Sequence, residues 1–311
     1  MNCKQCAKAL MSHDNILLVT HKNPDGDTVA SASALCSSLR RAGRNACLWP
    51  NTEISEKLHP YAFAYFAPAD YSAAYVVSVD VASEGMLPKG FDGHIDLRID
   101  HHLSESEFSD ESCVRSDRSS CGEIVLEVMQ NFDQEITAEE ATMLYIAVST
   151  DTGCFQYGNT NSATFKAASE LLRLGAENGK VNQQFFRKVS RARLALESMI
   201  YAGLEYYRDG KISLVTVTKK MMEDAGAGED DCDDIAGLAG RVEGSMLNIT
   251  IREIEDSRCK ISLRSVPEVS SSDIAAVFGG GGHSMAAGCT ISGDPEKAKA
   301  ILLEVIDEVW K

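Results

Sequence analysis

The feature that most restricts this chain is a pattern repeated through its first half. A short apolar run, too short for a helix, ends on acids or histidines, and a helix-spaced segment follows. Residues 15–20 form such a run and stop at His21-Lys22-Asn23-Pro24-Asp25-Gly26-Asp27. From Thr28 the apolar spacing turns helical through Val29, Ala32, Leu35, Cys36 and Leu39, up to Gly43. Residues 46–49 make another short strand. Tyr75-Val76-Val77-Ser78-Val79 ends on Asp80, and the run over 94–99 ends on Asp100-His101-His102. Ser120 and Glu123 have capping-box spacing ahead of a helix over 124–129. A helix over 138–148 ends at Ser149-Thr150-Asp151-Thr152-Gly153, and helical spacing resumes over 163–174. Alternating strands and helices predict an α/β fold, a mostly parallel doubly wound sheet with helices on both faces. Ligands of such sheets bind beyond the carboxyl ends of the strands, where these acids and histidines fall.

The second half changes character. Residues 182–207 read as one long helix that bridges two domains, carrying Phe185, Phe186, Val189, Leu194, Met199, Ile200 and Leu204. Strand-like alternation over 211–217, 245–254 and 258–263, with helices near 234–240 and 295–309, predicts a smaller α+β domain. It holds the run Phe278-Gly279-Gly280-Gly281-Gly282-His283, followed by Ala286-Ala287-Gly288.

At 311 residues the chain is long for one core and comfortable for two. A net charge of −16 opposes a grip on long nucleic acid, which needs clustered Lys and Arg. Runs such as Glu229-Asp230-Asp231 and Asp233-Asp234 are most simply solvated charge. A site handling phosphate here must import positive charge, and metal ions are the obvious source. The ten cysteines, scattered through apolar segments, fit reduced thiols better than a disulfide scaffold. Cys3-x-x-Cys6 lacks both the second pair of a zinc site and the preceding strand of a redox motif. No apolar run approaches the ~18 residues that span a bilayer, and residues 1–13 lack a signal peptide's apolar stretch. The expectation is a cytoplasmic protein with no membrane partner.

His21, Asp25, Asp27, Asp80, Asp100, His101, His102 and Asp151 thus collect at the ends of strands or helices. Asp27 alone could be a plain N-cap, which leaves His21 and Asp25 without a task. Asp25, Asp27, Asp80 and Asp151, with His21 and His101, make a shell for two divalent cations. Mixed carboxylate and imidazole ligation suits Mn2+ and accepts Mg2+, Co2+ or Zn2+. Two ions about 3.5–4 Å apart lower the pKa of a shared water from about 15.7 towards about 7, roughly 12 kcal/mol of proton-release free energy. Asp80 and Asp151 approach from separate elements and are the natural shared ligands, while Asp100 is suited to orienting an imidazole. The glycine run is either a flexible turn or a cradle in which backbone N–H groups approach a terminal phosphate or a base. In the second case Gly280, Gly281, Gly282 and His283 would act with Arg264 from a nearby strand.

The ordered motifs His21-x-Asn23-Pro24-Asp25-x-Asp27, Asp80, Asp100-His101-His102 and Asp151-Thr152-Gly153 resemble the four motifs of the DHH phosphoesterase superfamily. Gly279 to His283 resembles the glycine-rich motif of that superfamily's DHH-associated C-terminal domain. The resemblance covers nearly the whole chain. It implies a catalytic metal-binding domain at 1–182, a linker helix at 183–208 and a substrate-binding domain at 209–311. The compact form is similar to the nano-RNase/oligoribonuclease subfamily. This implies hydrolysis of short oligonucleotides, 3′-phosphoadenosine 5′-phosphate, or linear and cyclic dinucleotides. It also implies two Mn2+ ions, one on His21, Asp25, Asp80 and Asp151 and the other on Asp27, Asp80, His101 and Asp151. His102 would then contact the scissile phosphate, and Arg264 and His283 the far phosphate or base. One departure stands out, Ser104-Glu105 after the histidines where many relatives carry a neutral Asn, and it bears on charge at the rim and on substrate preference. Two other readings stand beside this one. A manganese inorganic pyrophosphatase would carry a basic C-terminal signature in place of the glycine run, and a catalytically idle nucleotide-binding regulator would lack ligands. Expected partners are short oligonucleotides or small nucleotides and no long nucleic acid, with a homodimer left open.

Overall fold

The structure is a computed structural model describing residues 1–103, 106–232 and 235–310. Ser104-Glu105 and Asp233-Asp234, singled out above, lie outside the described residues. The chain divides into two compact units, Met1–Lys188 and Val189–Lys311.

The first unit begins with α1 (Cys3–Ser12), started by a capping box in which the Asn2 side chain accepts from the Gln5 amide. There follow β1 (Ile16–Val19), α2 (Gly26–Arg41), β2 (Ala46–Leu48), the single turn α3 (His59–Ala62), β3 (Tyr75–Val79), β4 (Ile95–Asp100) and β5 (Ser109–Val114). Four helices complete it, α4 (Cys121–Met129), α5 (Ala138–Asp151), α6 (Ser162–Arg173) and α7 (Asn178–Asn182). The strands form one sheet in the order β2-β1-β3-β4-β5, every pair parallel. The order reverses between β1 and β3, so the chain leaves those two strands in opposite directions and opens a crevice at their carboxyl ends. Period-two alternation divides β1 between two cores. Ile16 and Leu18 join the large core with α1, α2, α4 and α5, whereas Leu17 and Val19 face Trp49, Tyr71 and Phe91 from connecting segments.

The second unit holds α8 (Arg191–Ala202), β6 (Glu205–Tyr207), β7 (Ile212–Val217), α9 (Lys219–Ala225), β8 (Leu247–Ile254), β9 (Arg258–Ser265), α10 (Ser271–Val277), β10 (Gly281–His283), β11 (Ala286–Ser292) and α11 (Pro295–Val309). Its sheet runs β10-β11-β9-β8-β7-β6, antiparallel except for β7 with β8. One face packs Ile249, Ile261 and Leu263 against Ile274, Leu302 and Ile306 of α10 and α11. On the other face Val215 and Val217 are covered by Leu196 and Ile200 of α8 and by Leu238. The α/β class with a second, smaller α+β unit is therefore as the alternation predicts. Among the described residues no helix is long and apolar enough to cross a membrane.

Several local expectations need correction. The stretch over 182–207 is not one helix. A wider π turn, Gln183–Arg187, follows α7, Lys188 is extended, and Ser190 caps α8 by accepting from the Arg193 amide. The last residues of the stretch pair as β6. α2 starts earlier than Thr28, because the carboxylate of Asp25, not Asp27, caps it. α5 runs on past 148 through Asp151, so that acid stands in the last helical turn. The glycine run is not a free loop, since Gly281–His283 pairs with β11.

α2 and α5 meet where Gly26 lies against Thr150. A Cβ at Gly26 would sit 2.7 Å from Thr150 Cγ2. We expect Gly26→Ala to destabilise the protein by about 1–3 kcal/mol through overpacking, read as a lower urea midpoint.

Candidate active site

The crevice beyond β1, β3 and β4 receives side chains from five places in the chain. His21 follows β1. Its Nδ1 donates to the Lys22 carbonyl at 2.7 Å, which leaves Nε2 as an acceptor, 3.6 Å from Asp25 Oδ1 and 3.8 Å from Asp80 Oδ2. Asp25 Oδ1 also accepts the Asp27 and Thr28 amides at 3.0 and 3.2 Å. Burial opposes ionisation of Asp25, but His21 and these amides outweigh it and hold its pKa low. Burial likewise acts against a charged His21, and Asp25 overcomes it to raise the imidazole pKa.

Asp27 points the other way, towards the N-terminus of α4. Its Oδ2 accepts the Cys121 amide at 2.6 Å, and its Oδ1 accepts the Gly122 amide at 2.9 Å and the Ser31 hydroxyl at 3.1 Å. Helix amides are the natural partners of a buried carboxylate. Burial and then the charge of Asp25 still push its pKa up to about 7.

Asp80, the residue after β3, adopts a left-handed backbone with φ of +62°. Its amide donates to the Ile99 carbonyl at 2.8 Å, so the turn is pinned between β3 and β4. Burial, then the charges of Asp27 and Asp25, raise its pKa well above the usual carboxylate range. Asp151 closes the site from the end of α5, pushed up to about 7 by burial and then by Asp27.

The Asp100-His101-His102 run is organised by a residue that motif reading passes over. Arg98, two positions back on the same side of β4, is almost fully buried and donates from Nε to Asp100 Oδ2 at 3.0 Å and from Nη2 to the same oxygen. Its Nη1 donates to the Ser106 carbonyl, and its guanidinium lies over the Phe108 ring. Asp100 Oδ1 then accepts the His101 amide, the His102 amide and His102 Nδ1 at 2.8, 3.2 and 2.8 Å. Burial notwithstanding, His102 and Arg98 hold Asp100 ionised, and Asp100 in turn raises the pKa of His102. The available signal was a charge inside an otherwise apolar strand, which costs free energy unless it is paired.

At the centre His101 Nε2 lies 3.4 Å from Asp80 Oδ1, 3.7 Å from Asp151 Oδ2 and 3.9 Å from Asp27 Oδ2. Asp80 Oδ1, Asp151 Oδ2 and His101 Nε2 are all buried and make no hydrogen bond. Buried polar atoms are nearly always satisfied, and three orphans converging on one point form a donor set that fits a divalent cation. Among the described residues three overlapping groups of this kind lie in the crevice, His21 with Asp25 and Asp80, Asp27 with His101 and Asp151, and Asp80 with His101 and His102, while a fourth, His94 with Asp96 and Asp110, lies outside it. The expected residues His21, Asp25, Asp27, Asp80, Asp100, His101, His102 and Asp151 therefore share one site.

Arg264 and the glycines belong to the second unit. A cavity of about 660 Å³ there is lined by Arg264, Gly280 and Gly281, with Lys260, Phe278 and Thr290 among its other walls. Gly282 and His283 are exposed on β10 and are not among the lining residues.

The model of the DHH family, N-terminal domain, matches residues 15–148, and that of the DHHA1 domain matches 213–311. The bifunctional oligoribonuclease and PAP phosphatase NrnA of Thermus thermophilus is 32% identical over 301 residues, covering 94% of this chain and 89% of that protein. The chain belongs to the DHH family. Membership makes it a phosphoesterase, a hydrolase. The same fold recurs in an exopolyphosphatase-related protein from Bacteroides fragilis, with a TM-score of 0.88 at 23% identity, covering 98% of this chain and 96% of that one. It recurs in RecJ from Thermus thermophilus in complex with Mn2+, with a TM-score of 0.52 at 12% identity, covering 98% and 54%.

Crowded carboxylates make the metal-free DHH site a source of instability. Asp80→Asn should raise the melting temperature of metal-free protein by about 2–4 °C, the shift that ~1 kcal/mol gives in a domain of this size. Asparagine tolerates the left-handed backbone, and the variant should lose most of the further rise that Mn2+ gives the native protein. Arg98→Met, which strands the Asp100 charge, should cost about 3–5 kcal/mol in urea unfolding. The double variant Arg98→Met/Asp100→Asn should recover at least half of that loss.

Proposed function

We propose that this DHH protein is a divalent-cation-dependent phosphoesterase that hydrolyses short oligonucleotides and 3′-phosphoadenosine 5′-phosphate, releasing mononucleotides. The observation that carries the reading is the set of unsatisfied buried atoms, Asp80 Oδ1, Asp151 Oδ2 and His101 Nε2, gathered at the switch point of a parallel sheet. In this reading His21, Asp25, Asp80 and Asp151 hold one cation, and Asp27, Asp80, His101 and Asp151 hold a second. A shared role for Asp80 is supported by its two oxygens, of which Oδ2 faces His21 and Oδ1 faces His101. Mn2+ suits a mixed carboxylate and imidazole set, Mg2+ and Co2+ being acceptable to the same donors. Such ions, when bound, supply the charge that neutralises phosphate and acidifies water.

The remaining work falls to the chain's own groups. Asp100 fixes a proton on His102 Nδ1, which turns Nε2 of a half-exposed ring outward to meet a phosphate oxygen. His102 itself and Arg98 keep Asp100 ionised for that task. Asp27 is held rigid by the α4 amides, so its free lone pairs stay directed at the site. Water adds to phosphorus, the ester oxygen leaves with the proton, and one phosphoester bond is exchanged for a phosphate and a hydroxyl. Residues 1–182 would carry this chemistry and 209–311 the recognition of substrate, through Arg264, Gly280, Gly281, Gly282 and His283. The Thermus thermophilus relative, an oligoribonuclease and PAP phosphatase, supports this class of substrate, and so does the net charge of −16, which disfavours long strands.

Purified protein with Mn2+ is expected to cleave di- to pentaribonucleotides and to dephosphorylate 3′-phosphoadenosine 5′-phosphate, and chelation with EDTA should abolish both. Release of phosphate from pyrophosphate with every oligonucleotide left intact would sink the reading. His102→Ala should lower kcat by about 10²–10³-fold, the range for losing one donor to a transition-state oxygen, with a small change in KM.

A further inference from the structure

The glycine run raises a question that its packing answers only in part. A Cβ at Gly280 would run into the Gly288 carbonyl and lie 2.5 Å from Cys289 Cβ, and one at Gly282 would meet the Ala286 carbonyl and lie 2.6 Å from Ala287 Cα. Gly279 has a φ of +70°, which favours glycine. Those three positions need glycine for the β10–β11 hairpin itself. Gly281 does not. Nothing lies within 4 Å of the Cβ it lacks, and its φ is outside the left-handed region. Glycine inside a strand costs about 0.5–1 kcal/mol relative to alanine, so bare backbone at 281 has no account in the fold.

Strand register shows what that bare position adjoins. Residues directly opposite in antiparallel pairs project from the same face. His283, Ala286 and Arg264 form one row across β10, β11 and β9; Gly281, Gly288 and Ser262 form the next; Thr290 and Lys260 form the third. The middle row is a floor with almost no side chain, and the cavity described above lies over it. At one end stand Arg264 and His283, at the other Lys260, four residues and roughly 13 Å along β9 from Arg264 at the usual strand rise. Among the described residues neither Lys260 nor Arg264 has a carboxylate partner.

We infer that Lys260 is a second phosphate contact at the far end of this trough, reached only by an oligonucleotide long enough to extend from the Arg264 end, so that Lys260 sets the preference for substrate length. The inference rests on the nucleotide reading above and deepens it. A two-ended cationic track over a backbone floor takes a flexible chain with repeated phosphates. A compact bisphosphate engages one end only.

The test compares dinucleotide, tetranucleotide and 3′-phosphoadenosine 5′-phosphate on the full Mn2+-loaded protein, native and Lys260→Ala. Lys260→Ala should lower kcat/KM for the tetranucleotide about 10-fold, through KM, and for the two shorter substrates less than 2-fold. The slope of log affinity against log salt for the tetranucleotide should fall by about 0.7, the value of one single-strand phosphate contact. Lys260→Arg, which keeps the positive charge, should retain the native dependence on length. Equal losses at every length, or none, on an otherwise active enzyme overturn the track alone. A native protein inactive on every oligonucleotide overturns the functional reading together with the track.

Discussion

Repulsion among carboxylates drawn to one point is the constraint on which the rest of the first unit depends. Asp25, Asp27, Asp80 and Asp151 arrive from the loop after β1, the start of α2, the end of β3 and the end of α5. Each is delivered by an element whose own burial fixes its position. Left alone, such a cluster disfavours the ionised state, and Asp27, Asp80 and Asp151 all have raised pKa values for that reason, burial being the first cause. The protein accepts this cost at the carboxyl ends of a parallel sheet, beside a large buried core.

Not every acid near the crevice is left in that state. Asp27 has helix amides and a serine on it, and Asp100 has a guanidinium, two amides and an imidazole. Asp80 Oδ1 and Asp151 Oδ2 have nothing. The contrast separates acids that position from acids that wait for a cation. Asp100 is fully buried yet stays ionised because His102 and Arg98 both bind it. It spends its second oxygen on the two histidines that follow. A buried pair of this kind adds little net stability, and what it provides is orientation, a single ring position for His102. The same guanidinium reaches the Ser106 carbonyl and Phe108, so the segment after the histidines is tied to the group that aims them.

How much of this was legible in the sequence follows from where each partner lies. The strand and helix ends were legible because an acid or histidine closing an apolar run violates the run's own pattern, and the eight residues picked out on that ground come together in one crevice. The cradle around Asp27 was not, since Cys121 and Gly122 contribute backbone amides about 95 positions away and no side-chain signal marks them. β5 went unread because only Cys113 of its six residues is buried, which leaves no alternation to find in an edge strand. The break between α7 and α8 went unread for the opposite reason. Val189 and Leu194 keep apolar spacing through it although both are exposed, and periodicity cannot sense the serine hydroxyl that starts a new helix.

The glycine run shows why residue type alone could not separate a turn from a binding surface. Glycine is read as loop because it lacks side-chain propensity, yet strand pairing is made by backbone and Gly281–His283 pairs fully with β11. Position by position the four glycines differ, two of them demanded by close approach, one by a positive φ and one by nothing in the fold. Gly279 and Gly281 both have open space where a Cβ would stand, but Gly279 precedes the strand, and the space at Gly281 lies in the row between Arg264 and Lys260. A requirement of packing and a surface kept bare for a ligand thus sit side by side in one short motif. They can be told apart only by asking what a single added carbon would meet.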